Sequence, residues 1–375
     1  MPASTPDMLD VFNDTATVHH ALAFESCLAQ AHAAAGVISP QSAEAITQAC
    51  STLNLDMAAL AQSVSLAGTL AIPLVRALRA RLTGAAARDL HRGATSQDVA
   101  DSVLMRQVKE AAALLAVDNE RLFFALEEVA RRHATRPAVG RTLLQDARPI
   151  GFGLRIAQWL AGIREAATEL QRSVALQAKV QLGGAAGTRA GMEGRGAAIA
   201  RDLAQRLQLA PSTPWHARRG GIAGIAANLG IYIGALGKMA RDISLLAQNR
   251  IGEALEPAIE GRGGSSIMSH KRNPTACQIA LSAAIRAPGL VATVLTSLPA
   301  EQERGLGGWQ AEGPALTDLF LLAAGSVRAM VAVAQGLVLV DEAIADNLAD
   351  ARIGGDIGES EQILMEILND ERGKN

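Results

Sequence analysis

The richest chemistry in the chain lies in Gly261-Arg-Gly-Gly-Ser-Ser-Ile-Met-Ser-His-Lys-Arg-Asn-Pro-Thr-Ala-Cys-Gln278, a polar stretch between two long apolar ones. Gly261, Gly263 and Gly264 lower the steric cost of unusual backbone angles, so a mobile loop is expected. Ser265 and Ser266 offer hydroxyls and backbone N–H groups to an anion. Lys271 and Arg272 supply positive charge, and Asn273 supplies an amide able to fix a carboxylate. A nucleophile or base, anion donors and a cation within about ten residues meet the needs of a site that stabilises a developing oxyanion. The same residues also read as a solvated basic loop, and a lone Gly-Gly-Ser-Ser would favour that.

Three further polar loops carry candidate groups. In Leu90-His-Arg-Gly-Ala-Thr-Ser-Gln-Asp-Val99, Gly93 breaks the helical pattern, and Thr95, Ser96 and Asp98 are good N-caps for the helix that follows. A helix N-terminus with free N–H groups and hydroxyls also binds carboxylates, and both uses are compatible. An isolated His91 would more often be structural, but its place beside this loop makes it a candidate. Gly140-Arg-Thr-Leu-Leu-Gln-Asp-Ala-Arg-Pro149 reads as a second polar loop, and Glu301-Gln-Glu-Arg-Gly-Leu-Gly-Gly-Trp-Gln-Ala-Glu312 as another. The Gly183-Gly-Ala-Ala-Gly187 break lacks the strand, lysine and spacing of a phosphate-binding motif.

Long helices must position these loops. Ala21, Phe24, Leu28 and Ala31 share one helical face, and Gly36 stops that helix. Ser42 is the expected cap of the next, and Pro73 is expected to break or kink the stretch 56–82. Five long helices are expected, at 102–133, 150–181, 222–253, 275–298 and 313–340, with Pro288 a kink. Strands with period-2 alternation are almost absent. Hydrophobic residues make up 49% and aromatics only 3%, so the helices must pack closely through Ala, Leu, Val and Ile. Helices apolar on several faces predict oligomerisation. The segment 320–340 is apolar enough to mimic a membrane span. Gly325, Ser326, Gln335 and Gly336 within it, and the similar helices around it, favour a buried bundle helix.

Lys+Arg of 35 against Asp+Glu of 37 leaves no bulk electrostatic case for nucleic acid or an acidic membrane. Cys27, Cys50 and Cys277 show neither metal-ligand nor disulfide spacing, as expected of reduced thiols in a cytoplasmic protein. No basic segment followed by an apolar run opens the sequence, so no secretory signal is read.

The four loops, in order, resemble those of the fumarase/aspartase superfamily, whose signature loop is usually written GSSxMPxKxNP. The ATSQD form of the first loop, the His270-Lys-Arg-Asn-Pro274 run, the ERGLGGWQAE run and Phe24-Glu-Ser26 are most similar to its bacterial 3-carboxy-cis,cis-muconate cycloisomerase branch. The resemblance spans about residues 8–350. It implies an all-α, three-part helical chain (1–101, a central long-helix bundle at 102–340, and a short helical segment at 341–375). It also implies a homotetramer with active sites shared between subunits, and no cofactor or metal. The implied chemistry is a carbanion beside a carboxylate, held as an aci-carboxylate dianion. Here it would serve lactonisation of a tricarboxylate in protocatechuate catabolism by the β-ketoadipate pathway.

By the same resemblance Ser265 is the general base and Lys271 lowers its pKa and stabilises the dianion. His91, Thr95, Ser96, Arg141, Thr142, Gln145, Ser266, Met268, Asn273 and Arg304 are the expected substrate contacts, with Arg272 a further cation. Several positions depart from the family pattern. Ser269 replaces the usual Pro, Gly220, Gly221 and Gly224 replace charged residues, and Gln302 replaces a His. Most superfamily lyases carry a His after Gly-Arg-Thr in the second loop, paired with a Glu beyond the signature lysine. Here these positions are Leu143 and Gln278. Loss of both leaves no unpaired carboxylate, so the change reads as a different mechanism, with Leu143 an apolar wall against the diene. The competing readings are an adenylosuccinate or argininosuccinate lyase, which Leu143 opposes, and a non-catalytic scaffold, which Ser265, Lys271 and Asn273 oppose.

Overall fold

Capping residues set the beginnings of the first elements. In the computed structural model, which describes residues 4–264, 267–268 and 271–369, Thr5 accepts from the Met8 amide to start α1 (Pro6–Phe12). Asn13 accepts from the Ala16 amide to start α2 (Asp14–Ala34), on which Ala21, Phe24, Leu28 and Ala31 are buried. Helix α3 (Pro40–Thr52) is capped by Ser39, whose side chain accepts from the Ser42 amide; Ser42, the expected cap, lies inside the first turn because Pro40 already occupies the helix start. The stretch 56–82 divides at Gly68, in the left-handed conformation, into α4 (Met57–Ala67) and α5 (Ala71–Arg79). Pro73 sits in the first turn of α5, where its missing N–H costs no helical bond, so it is not the breaker. Helix α6 (Gly84–Asp89) leads into the first polar loop.

Helix α7 (Ser96–Arg132) has 37 residues, about 55 Å at 1.5 Å per residue. It begins earlier than the hydrophobic pattern shows because its first turn is polar and held by capping. After it the expected polar loop is in fact a hairpin, β1 (Pro137–Thr142) and β2 (Gln145–Gly151). Its register shifts at Gly140, and Thr142 pairs with Gln145. Leu143 and Leu144 form the turn at φ +52° and +64°. Asn-Gly is the usual sequence for such a turn, so the sequence carried no hairpin signal.

The remaining elements are α8 (Phe152–Gln177), α9 (Gly196–Arg206), α10 (Gly220–Leu246), β3 (Ala254–Leu255), α11 (Thr275–Thr296), α12 (Gly308–Gln335), β4 (Val338–Leu339), α13 (Asp341–Ala351) and α14 (Ser360–Asn369). Strands β3 and β4 form a short antiparallel pair. The five long helices α7, α8, α10, α11 and α12 make the central bundle of an all-α fold. In it α7 packs on α8 and α12, and α10 packs on α8, α11 and α12. Small residues set the spacing: a Cβ on Gly237 would lie 2.6 Å from Ala284 Cβ, and one on Gly230 would lie 2.8 Å from Val291 Cγ2. One core runs from Met8 to Leu368.

Among the described residues three helices, α10, α11 and α12, are long and apolar enough to cross a membrane by length and composition. The most apolar window of α12 is 72% buried within this one chain, against 22% for α11. Helix α11 therefore carries an apolar face, with Ile285 and Leu295 exposed, that this chain leaves uncovered.

Candidate active site

Connectivity sorts the candidate residues to two ends of the bundle. Helices α7 and α12 start, and α8 and α11 finish, at what is here termed the first end; the hairpin, β3 and the start of α11 lie at the second.

At the first end, Asp98 organises the loop 91–96. It is fully buried and meets four groups. Its Oδ1 accepts from the Gly183 amide at 2.9 Å and lies 2.8 Å from His216 Nε2. Its Oδ2 accepts from the Thr95 and Gly184 amides, each at 2.9 Å. Gly184 has φ +72°, and a Cβ there would lie 2.6 Å from the Gly93 carbonyl oxygen. The glycine-rich break at 183–187 thus clamps the first loop. Thr95, so fixed, accepts from Arg304 Nη1 at 2.5 Å. Ser96 is half-buried on the first turn of α7. His91, at φ +61°, places Nδ1 2.6 Å from Glu25 Oε1. Burial opposes the charged imidazole, but the charge and hydrogen bond of Glu25 outweigh it, and the His91 pKa is raised. A cavity of about 540 Å³ lies at this end, lined by His216, Arg219, Glu301 and Trp309 among others.

Beneath this loop Arg219 is buried and bridges two helices. Its Nη1 and Nη2 reach the Asp101 carboxylate at 2.8 and 2.9 Å, and its Nε and Nη2 reach Glu312 Oε2 at 2.9 and 2.6 Å. Burial raises the Glu312 pKa despite the bonds from Arg219. Arg219→Met leaves two buried carboxylates without a cation and is expected to cost roughly 3–5 kcal/mol. The midpoint of urea unfolding reads this directly; an unchanged midpoint would show that the cluster is not a structural clamp. Asp101, Arg219 and Glu312 are far apart in sequence, and no spacing rule joins them.

At the second end, Arg141 donates from Nη2 to Glu253 Oε1 at 2.7 Å and pairs through Nε with Asp146 at 3.3 Å. Glu253 is fully buried and also pairs with Arg155 at 3.5 Å. Burial works against the Arg141 charge, but Glu253 and Asp146 raise its pKa. Its charge is therefore largely met within the chain. Its Nη1 is buried without a hydrogen-bond partner among the described residues. Thr142 and Gln145 are exposed, and between them Leu143 is 92% and Leu144 80% exposed. A cavity of about 930 Å³ lies beside the hairpin, lined by Arg141, Thr142, Leu144, Arg155 and Trp159 among others. Leu143 does not line it.

The signature loop is held at its base. The Asn273 amide donates to the Gly263 carbonyl at 2.7 Å, and its side chain donates to the Gly264 carbonyl at 3.4 Å. Gly263 has φ +74°, and a Cβ there would lie 2.5 Å from the Asn273 carbonyl oxygen. Glu256 accepts from the Ala276 and Cys277 amides at 3.1 and 2.7 Å and so starts α11. Lys271 and Arg272 are exposed, Met268 is 41% exposed, and Gln278 is exposed on the first turn of α11. Ser265 and Ser266 lie outside the described residues, as do Ser269 and His270. Among the described residues no group of three or more His, Cys, Asp or Glu side chains is placed to hold a metal ion.

One chain thus joins His91, Thr95, Ser96 and Arg304 at the first end. Arg141, Thr142, Gln145, Met268, Lys271 and Asn273 lie at the second, from which the 22 residues of α11 lead back to the first over about 33 Å. The residues 2–289 match the family described as Lyase. The chain belongs to this fumarase/aspartase lyase family. It is 43% identical over 338 residues to a 3-carboxy-cis,cis-muconate cycloisomerase of Bradyrhizobium diazoefficiens, covering 89% of this chain and 75% of that protein. A nitrosuccinate lyase of Streptomyces davaonensis is 39% identical over 338 residues, covering 86% of this chain and 71% of that protein. The crystal structure of a 3-carboxy-cis,cis-muconate lactonizing enzyme from Pseudomonas putida matches with a TM-score of 0.86 at 34% identity, over 100% of this chain and 87% of that one.

Proposed function

We propose that the chain is a 3-carboxy-cis,cis-muconate cycloisomerase, lactonising its tricarboxylate substrate to 4-carboxymuconolactone in protocatechuate catabolism. The observation that carries this reading is the 43% identity to an enzyme of that name across 89% of the chain. Leu143 and Gln278 support it, because the His and Glu that most lyases of the family pair are both replaced.

In the reaction a substrate carboxylate oxygen bonds to a diene carbon, and the displaced π pair settles on the carbon beside another carboxylate. That pair delocalises into the carboxylate as an aci-carboxylate dianion, which Lys271 stabilises by charge. The carbon then takes a proton from the Ser265 hydroxyl or a bound water; the family's general base acts here as the acid. Thr95, Ser96 and Arg304 meet one carboxylate, with Arg141, Thr142, Gln145, Ser266, Met268 and Asn273 around the rest. The incoming carboxylate is already a nucleophile, so no proton need be delivered to a leaving nitrogen or hydroxyl. An apolar Leu143 suits the wall against the diene.

The separation of the two clusters supports a site built from more than one chain, and the uncovered face of α11 supports the assembly that would bring chains together. The proposal is therefore a homotetramer with shared sites, working in the cytoplasm.

The purified protein should consume 3-carboxymuconate, followed by loss of the diene absorbance, and release no fumarate from malate, aspartate, argininosuccinate or adenylosuccinate. Leu143→His with Gln278→Glu should lower the cycloisomerase rate by placing polar groups in the apolar wall. Fumarate release by the wild type from any of the four would overturn the reading.

A further inference from the structure

Within Phe24-Glu25-Ser26, Glu25 is fully buried on α2 against His91. Its Oε1 takes the His91 Nδ1 at 2.6 Å, and its Oε2 has no hydrogen-bond partner among the described residues. A buried carboxylate is costly unless a cation or donors meet it, and His91 is the group placed to do so. With Nδ1 committed, the ring's Nε2 remains. His91 lines a cavity of about 500 Å³ whose other polar lining is Arg76, Arg79 and Ser96, with Ile72 and Val75 of α5 on its apolar side. Ser96 directly follows Thr95, which accepts from Arg304.

We propose that Glu25 is a positioning residue that holds His91 as an imidazolium facing this cavity, and that His91, Arg76 and Arg79 together seat a substrate carboxylate there. The assignment rests on the tricarboxylate reading above and gives its first-end carboxylate a specific seat. The charged groups facing the ring are Glu25 on α2, Asp98 on α7 and Arg79 on α5, with Arg76 also on the cavity wall. Burial and Arg79 disfavour the imidazolium; Glu25 and Asp98 favour it and prevail.

The test is equilibrium binding of an unreactive tricarboxylate, propane-1,2,3-tricarboxylate, to the assembled enzyme by calorimetry between about pH 7 and about pH 9. The ligand's last carboxylate is raised above the ordinary carboxylate value by its like-charged neighbours, and this window keeps all three ionised. Wild-type affinity should fall as pH rises through the raised His91 pKa, above about 6.5. Glu25→Gln keeps the shape and an acceptor but loses the charge. Burial then dominates, so the fall should move below about 6.5 and affinity at neutral pH should drop roughly tenfold. In turnover KM should rise by a similar factor while kcat changes less. His91→Gln should bind weakly with no pH dependence in this range, and serves if Glu25→Gln does not fold. An assembled Glu25→Gln whose profile superimposes on wild type, or a His91→Gln that keeps the wild-type fall, would overturn the assignment. Loss of the cycloisomerase reading shows separately, as absent turnover of 3-carboxymuconate with the pH-dependent binding intact.

Discussion

Ser265→Ala and Lys271→Met each reduce turnover of 3-carboxymuconate by roughly 10²–10⁴-fold, with the assembly unchanged. For Lys271 the reason is electrostatic. The aci-carboxylate carries two negative charges on one group, and the cation nearest it contributes more to that state than to the spread charges of the substrate. Methionine keeps most of the side-chain length and removes only the charge. Lys271 is exposed, so its loss leaves the core intact. The base of the loop is held independently, by Asn273 against Gly263 and by Glu256 at the start of α11. For Ser265 the reason is proton transfer, because alanine removes the only hydroxyl at that position. Steady-state kinetics separates the effects, and light scattering checks the assembly. Near-normal turnover by Ser265→Ala would remove Ser265 from the mechanism and leave bound water as the proton donor.

The fold was legible where local rules act alone. Gly36, at φ +72°, follows the end of α2 as expected, Ala21, Phe24, Leu28 and Ala31 share its buried face, and the five long apolar stretches appear as helices. The hairpin was not legible. Leu143 and Leu144 hold positive φ against their own preference, so the turn is imposed by the pairing of β1 with β2 rather than by turn residues. The apolar pattern alone starts α7 at 102, because periodicity registers only apolar positions, whereas the cap at Thr95 places its start where the structure does. The site was legible as loops and illegible as a network. Asp98 was recognised as a cap, yet its contacts with Gly183, Gly184 and His216 span more than eighty residues of chain. Glu25 was seen only as part of a motif, since nothing in its neighbours says that it faces His91. Arg141 is expected from the sequence to contact substrate; Glu253 and Asp146 already meet most of its charge, a pairing between segments that spacing does not reveal.

Mixing two inactive variants should restore activity. Helix α11, with 22 residues, separates Lys271 before its start from Arg304 beyond its end by about 33 Å in one chain, far more than a small tricarboxylate spans. On the shared-site proposal, a complete site takes its first-end groups from one chain and its signature loop from another. The double variant Thr95→Ala/Arg304→Met damages only the first end, and Lys271→Met damages only the second. Each alone spoils every site, because every site needs both ends. In a mixed assembly, some sites join the intact first end of the Lys271→Met chain to the intact signature loop of the double variant. With each parent reduced roughly 10²-fold, the mixture should run about tenfold or more above either, and below wild type because only some sites are whole. The control is Lys271→Met mixed with Ser265→Ala: both lesions fall in one loop, no whole loop exists, and no recovery is expected. Mixed tetramers must be verified by native mass spectrometry of chains of distinguishable mass. Verified mixed tetramers that stay as inactive as their parents would mean that each chain completes its own site, and the separation of the two ends would then have no catalytic consequence.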